Sequence, residues 1–365
     1  MNNNILSKIH KILLRLPPEL AHKLAIWGLT TISNNKLIFW DQRLQVNTLG
    51  MTFRNPVGLA AGFDKNGEVI DELLNLGFGF VEVGTVTPLH QSGNKKPRLF
   101  RLSEDNAIIN RMGFNNHGSF IISMRMILNK FHKTNKIIGV SVGPNSNAAD
   151  YSDDITYCIE IFAPISKYVV INISSPNTSH LRDLQEKDAL SQLLFWAVAA
   201  KNSVKPECKL LIKISPDISV TELDNIIDVA IFRGIDGMII SNTTVTRPEN
   251  LISPLKSEPG GLSGPVLFNN SLKLISRAYT RIKHKNSTLT IIGSGGIVDG
   301  KTALAYISAG ASIIQIYTGF IYQGPKIIEK INDELLGLLD SIGAKDINDV
   351  IGISANSLND YFDNL

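Results

Sequence analysis

A chain of 365 residues, 44% hydrophobic and 19% charged, is long enough for two ordinary domains or for one α/β barrel, and its 28 glycines follow no period, which excludes a disordered or collagen-like protein. The 36 Lys and Arg against 33 Asp and Glu leave +3, too little to argue for nucleic acid as a partner. Cys158 and Cys208 build no disulfide framework, no CxxC pair suggests zinc, and no apolar run of about 18 residues is present to span a bilayer.

The first 36 residues carry the charge. Lys8, Lys11, Arg15, Lys23 and Lys36 stand against Glu19 alone, a net +4, which leaves the remainder near neutral. Those cations interrupt the apolar stretch too often for a signal peptide. Ile5, Ile9, Ile12, Leu13 and Leu16 recur at helical spacing until Pro17 and Pro18 stop the run. A second helix then carries Leu20, Leu24 and Trp27 on one stripe. Two basic amphipathic helices fit a flap docked on the protein's own core, or equally an interfacial membrane anchor. Periodicity alone favours the first, because apolar stripes usually face a core.

From residue 43 a hairpin-like stretch over 45–55 leads into a repeating pattern of apolar run, polar or Gly-rich turn and helix-compatible segment. Strands are predicted at 57–61, 80–84, 137–143, 168–174, 209–215, 237–242, 289–294 and 312–317, apolar on both faces as buried parallel strands should be. Helices are predicted between them, for example over 67–76, 188–200 and 221–232. Eight such units describe an α/β protein of the (β/α)8 TIM-barrel class with an N-terminal amphipathic two-helix extension. The boundaries are 1–42 for the helices, 43–342 for the barrel and 343–365 for a C-terminal tail. A doubly wound open sheet is disfavoured because no GxGxxG follows the first strand.

In such a barrel the chemistry gathers where strands end. The first strand runs into AAGFDKNG (60–67), whose small residues admit a planar ligand and whose Lys65 offers a cation. The second ends in GTVTP (84–88), and the loop beyond holds NRMGFNN (110–116), either turn chemistry or amide and guanidinium donors for a polar anionic ring. The fourth carries Asn172 within an apolar run, then Ser175-Pro176-Asn177. Lys213 in the fifth strand would be costly to bury without an anion. Ser241 to Thr244 add hydroxyls and amides. Gly-rich turns at 260–264, 293–296 and 317–319 suit a phosphate cradle. These residues describe a barrel holding a phosphate-bearing cofactor and a small polar substrate.

The segments AAGFDKNGE (60–68), VEVGTVTP (81–88), KPRLFR (96–101), INRMGFNN (109–116), INISSPNT (171–178), SNTT (241–244), GGLSG (260–264), GSGGI (293–297) and GASIIQIYTGF (310–320), with LPPELAHKLA (16–25), occur in this order. Together they resemble the membrane-associated, quinone-dependent (class 2) dihydroorotate dehydrogenases, over nearly the whole chain. The resemblance implies FMN as cofactor, dihydroorotate and orotate as substrate and product, a membrane quinone as electron acceptor, and a role in pyrimidine biosynthesis. It implies a peripheral location on the cytoplasmic side of the cell membrane, with residues 1–36 on an anionic lipid surface. Carried over residue by residue, flavin contacts fall on Ala61, Gly62, Lys65, Thr85, Asn172, Lys213, Ser241, Gly264, Gly296, Tyr317 and Thr318. Substrate contacts fall on Lys65, Asn110, Arg111, Met112, Gly113, Phe114, Asn172, Asn177, Asn242 and Thr243. Ser175 stands where this class has its base, supported by Thr178 and a water under Phe114, and His22, Arg101 and Tyr317 match the quinone tunnel. Two departures fall on the third strand. Ser141 replaces a flavin-contacting Asn and Pro144 a Lys, losing an amide donor and a cation near the flavin. Ser175 argues against a soluble barrel oxidoreductase using fumarate or a nicotinamide nucleotide, and the near-neutral charge after residue 36 argues against an RNA-binding flavin barrel.

Overall fold

The computed structural model describes residues 9–31 and 40–364. Ile5, Lys8 and Lys36 of the basic segment therefore lie outside the described residues. Eight parallel strands close a barrel: β3 (Val57–Leu59), β4 (Phe80–Val86), β7 (Ile138–Val142), β8 (Tyr168–Asn172), β9 (Lys209–Lys213), β10 (Gly237–Ile240), β12 (Thr290–Ser294) and β13 (Ile313–Ile316), with β13 pairing back onto β3. Nearly all their residues are buried, because inner and outer faces are both covered. The expected strands are all present. Most pairing ladders stop one or two residues early, at Leu59, Asn172, Lys213, Ile240 and Ile316, whereas β4 runs on to Val86. Beyond those points the backbone leaves the ladder to shape a cavity, which is why Ala61, Ser174 and Asn242 are not strand residues.

Helices Ile70–Asn75, Ser119–Leu128, Tyr151–Phe162, Lys187–Val204, Val220–Arg233, Phe268–His284 and Gly300–Ala309 wrap the barrel. Their ends carry local signals. Ser219 and Glu222 form a capping box, Asp299 caps with Thr302, and Gly234 ends its helix in the left-handed region. The expected hairpin is the antiparallel pair β1 (Val46–Thr48) and β2 (Met51–Phe53). Residues 343–364 fold back as a turn at Ile347–Val350 and a helix at Ala355–Asp363. Ile347 and Val350 are buried, and Asn359 accepts from Ser276 at 2.8 Å.

Two features depart from the expectation. Residues read as loop form a second, three-stranded antiparallel sheet in the order β11–β6–β5, from β5 (Leu99–Leu102), β6 (Ala107–Asn110) and β11 (Gly261–Ser263). The N-terminal helix Pro18–Thr30 also turns its stripe outward, with Leu20 47%, Leu24 38% and Trp27 67% exposed. It docks through a different apolar set, Ala21, Ile26 and Leu29, and through polar groups near its start. Glu19 pairs with the buried guanidinium of Arg98 at 3.1 Å, and Arg101 donates to the carbonyls of Leu13 and Leu16. His10 bonds the carbonyl of Ile321 at 2.8 Å. Ile9 and Ile12 are exposed as well.

Candidate active site

The C-terminal strand ends surround one cavity of about 770 Å³, roofed by the helix Pro18–Thr30 and the second sheet. Every barrel strand except β7 brings a residue to its wall, either from its last positions or from the turn just after them. The end of β7 is covered by Phe114, whose ring would lie 2.9 Å from a β-carbon at Gly143 and whose own φ is +50°. Only a glycine lets that ring close over the strand end.

Asn172, at the last position of β8, organises the floor. Its amide donates to Thr85 Oγ1 at 2.9 Å, and its Oδ1 accepts from Ser174 Oγ at 3.1 Å and Asn242 Nδ2 at 3.2 Å. The buried amide foreseen from sequence is thus satisfied across three strands. Lys213 lies at the end of β9, paired in register with Asn172, and its ammonium has no hydrogen bond among the described residues. Burial pushes its pKa down, opposed by the carboxylate of Glu82. Glu82 is fully buried inside the barrel, where it accepts from Gln315 Nε2 at 2.6 Å and Tyr168 Oη at 3.4 Å. Burial raises its pKa. Sequence reasoning missed this interior group, although a Glu in the apolar run FVEVGTV is the same signal that singled out Lys213.

Lys65 projects into the cavity with one hydrogen bond, to the carbonyl of Gly62 at 2.6 Å. Burial and the neighbouring Arg98 lower its pKa to about 8, while Glu19 and Asp64 oppose the shift. Ser175 Oγ lines the same wall. It accepts from the backbone N–H of Asn177 at 3.3 Å, and Thr178 is not among its hydrogen-bond partners. Asn177 donates to Asn110 Oδ1 at 3.3 Å. Arg182, which sequence reasoning also passed over, ties this loop together. It donates to the carbonyls of Ser174 and Thr243, both at 3.1 Å, and pairs with Asp217 at 2.9 Å.

On the opposite wall, Ser294-Gly295-Gly296 and Tyr317-Thr318-Gly319 face Ser263-Gly264, and Ser263 Oγ and Thr318 Oγ1 lie 2.9 Å apart. A β-carbon at Gly296 would come within 2.8 Å of Phe268 N, so the close turn admits only glycine. A buried unpaired ammonium facing a cradle of Gly-rich backbone and hydroxyls fits an anionic cofactor carrying a phosphate.

Of the residues singled out from sequence, Ala61, Gly62, Thr85, Asn110, Met112, Gly113, Phe114, Asn242, Thr243 and Ser241 all reach the cavity, with those described above. Three do not. Arg111 turns outward to Glu258 at 2.8 Å and stacks on Phe100. Ser141 stands behind the wall, 3.0 Å from Thr85 Oγ1. Arg101 holds the N-terminal carbonyls and so is kept out of the cavity. His22 lies under the helical roof edge-on to Phe63, which packs in turn on Phe320. Burial and the Lys65 cation pull its pKa to about 3, so the imidazole is neutral.

A sequence profile described as Dihydroorotate dehydrogenase matches residues 43–339. The chain belongs to the dihydroorotate dehydrogenase family. Curated relatives named dihydroorotate dehydrogenase (quinone) include one from Bradyrhizobium sp. (strain ORS 278), 45% identical over 347 residues and 94% of each chain. Another, from Rhodopseudomonas palustris (strain BisA53), is 43% identical over 93% of each. Among solved structures, DHODH from Eimeria tenella in complex with ferulenol superposes with a TM-score of 0.87 at 39% identity, covering 95% of this chain and 98% of that one. The ligand-free form matches equally well at 40% identity. The family profile thus spans the whole barrel, while the relatives' coverage extends into the N-terminal helices.

Proposed function

We propose that this chain oxidises dihydroorotate to orotate with FMN as its cofactor and passes the electrons to a quinone, within pyrimidine biosynthesis. The observation that carries the reading is the convergence of Ser175, Lys65 and the unpaired Lys213 on one buried cavity that continues beneath the exposed-stripe helix. When bound, FMN supplies the acceptor for the hydride that leaves C6 of the substrate.

The remaining steps belong to the chain's own residues. Lys65 pairs with the substrate carboxylate, and Asn110, Asn177, Asn242 and Thr243 recognise the ring's C=O and N–H groups. Ser175 takes the C5 proton as its own hydroxyl proton is released to water in the cavity. The N–H of Asn177 aimed at Oγ stabilises charge developing there. Lys213 would face the bound cofactor and can offer a positive charge to it, and the Gly264, Gly296 and Thr318 turns would hold the phosphate. Phe114 and the second sheet exclude water. The quinone reaches the cavity under the roof past His22, Phe63 and Tyr317. His22 is neutral, and so is Tyr317, whose phenol is pushed up to about 12 by burial, so these two side chains bring no charge to that passage at physiological pH.

Attachment to the cytoplasmic face of the cell membrane is part of the same reading. It is supported by Ile9, Ile12, Leu20, Leu24 and Trp27 facing outward beside Lys11, Arg15 and Lys23. No helix among the described residues is long and apolar enough to cross a membrane. Purified protein should release FMN on denaturation and form orotate only when both dihydroorotate and a quinone are supplied. Orotate formation with fumarate or a nicotinamide nucleotide as sole acceptor would contradict the reading.

A further inference from the structure

The barrel interior holds a polar group that neither half of the proposed reaction uses. Glu82 of β4 is fully buried and lies outside the cavity wall, and Gln315 and Tyr168 reach it from β13 and β8. The barrel is built to let them. Glu82 is in register with Gly139 of β7, and Gly139 with Tyr168 of β8. A β-carbon at Gly139 would collide with the Tyr168 ring, so this glycine opens the path by which the ring crosses β7 to Glu82. Only the N–H end of the Gln315 amide can face a carboxylate, and it does so at 2.6 Å. Glu82 Oε2 therefore receives two donors, an arrangement that favours the ionised carboxylate.

A buried carboxylate needs a counter-charge as well as hydrogen bonds. Glu82 Oε1 and Gln315 Oε1 are buried acceptors with no donor, and Lys213 is a buried donor with no acceptor, among the described residues. β4 and β9 are separated by β7 and β8 in the closed barrel, so the carboxylate and the ammonium face one another across its interior. Burial pushes both toward their neutral forms, and the charge of each opposes that shift in the other. Gln315 and Lys213 both line the cavity, which places this group next to a bound cofactor. We infer that Glu82, held by Gln315 and Tyr168, is a positioning residue that balances the charge of Lys213 and so limits how strongly the site favours reduced over oxidised FMN. The inference rests on the FMN reading above and adds to it a residue outside the cavity wall. Reduction adds negative charge to the cofactor ring, which an unopposed ammonium would hold more tightly. The carboxylate behind Lys213 weakens that hold and leaves the electrons easier to pass to a second acceptor.

The test is the midpoint potential of FMN in the full-length holoenzyme, measured near neutral pH by anaerobic equilibration with a reference dye. The potential reports the ratio of affinities for reduced and oxidised cofactor, so a variant that only loosens the site weakens both and leaves the potential in place. Glu82→Gln removes the charge and keeps the shape. It should raise that ratio about tenfold, a positive shift of about 30 mV for a two-electron couple. Tyr168→Phe keeps the buried ring and removes one donor to the carboxylate, so it should raise the ratio by a smaller factor, about threefold. If Glu82→Gln does not retain FMN, Tyr168→Phe decides alone. Wild-type potential in the variants that hold FMN, or a shift to lower potential, overturns the inference and leaves the FMN reading intact. Wild-type protein that binds no FMN overturns both.

Discussion

Orotate affinity should fall as pH rises through the titration of Lys65. The ammonium is the form that pairs with a carboxylate, and its pKa is lowered to about 8, so protonation is complete below about pH 7 and lost above. Affinity should be flat on the acid side and drop about tenfold per pH unit beyond the break. The loss is bounded by what one charged hydrogen bond contributes, roughly 1.5–3 kcal/mol, or about ten- to 150-fold. Because bound carboxylate raises the lysine's pKa in the complex, the curve should level again at higher pH. The break is itself adjustable. Glu19 neutralises Arg98 at 3.1 Å and opposes the downward shift of Lys65, so Glu19→Gln should move the break to lower pH. Titrating the holoenzyme with orotate by flavin absorbance between about pH 6 and pH 10 measures this, and Lys65→Gln removes the lysine while leaving the ligand's own ionisation in place. An affinity with the same pH dependence in wild type and Lys65→Gln, or an upward break in Glu19→Gln, would refute the reasoning.

Ser175→Ala should retain FMN but reduce it about 10²–10⁴-fold more slowly with dihydroorotate in stopped flow; near wild-type reduction would exclude Ser175 as the base. Ser141 fills its pocket and already bonds Thr85, so Ser141→Asn should cost about 1–3 kcal/mol by overpacking and leave FMN no tighter, as read by the dissociation constant of the apoprotein. A tighter complex would show that the lost amide matters. Arg182→Met frees the Ser174 and Thr243 carbonyls and should lower kcat/KM by about tenfold or more with FMN content unchanged; loss of the flavin instead would assign Arg182 to the cofactor.

The barrel was legible because its strands are apolar runs bounded by turn residues, and most of the cavity wall because polar groups at buried strand ends are costly without a partner. Lys213 and Asn172 announced themselves in this way. Glu82 and Gln315 carry the same signal deeper in the barrel, but a lone acid inside FVEVGTV does not reveal that it faces Lys213 across the interior. The second sheet was hidden because its strands are only three or four residues long and β11 joins β6 from some 150 residues away. Arg111 was misread for a related reason. Its neighbours Asn110 and Met112 do face the cavity, and the alternating direction of successive side chains just past the end of β6 turns the arginine out toward Glu258. The stripe Leu20, Leu24, Trp27 was correctly periodic, but periodicity does not say whether a core or a membrane lies against it. The Glu19–Arg98 pair and the inward packing of Ala21, Ile26 and Leu29 hold the helix in that orientation.

The proposed function requires one cavity to serve both halves of the reaction. Anaerobic mixing of the yellow holoenzyme with dihydroorotate should bleach the flavin absorbance, and a stoichiometric amount of a long-tailed quinone added afterwards, still without oxygen, should restore it. Bleaching that the quinone cannot reverse, or no bleaching by dihydroorotate, would contradict the claim that Ser175, Lys65 and the passage beneath the N-terminal helix form a single dihydroorotate:quinone site.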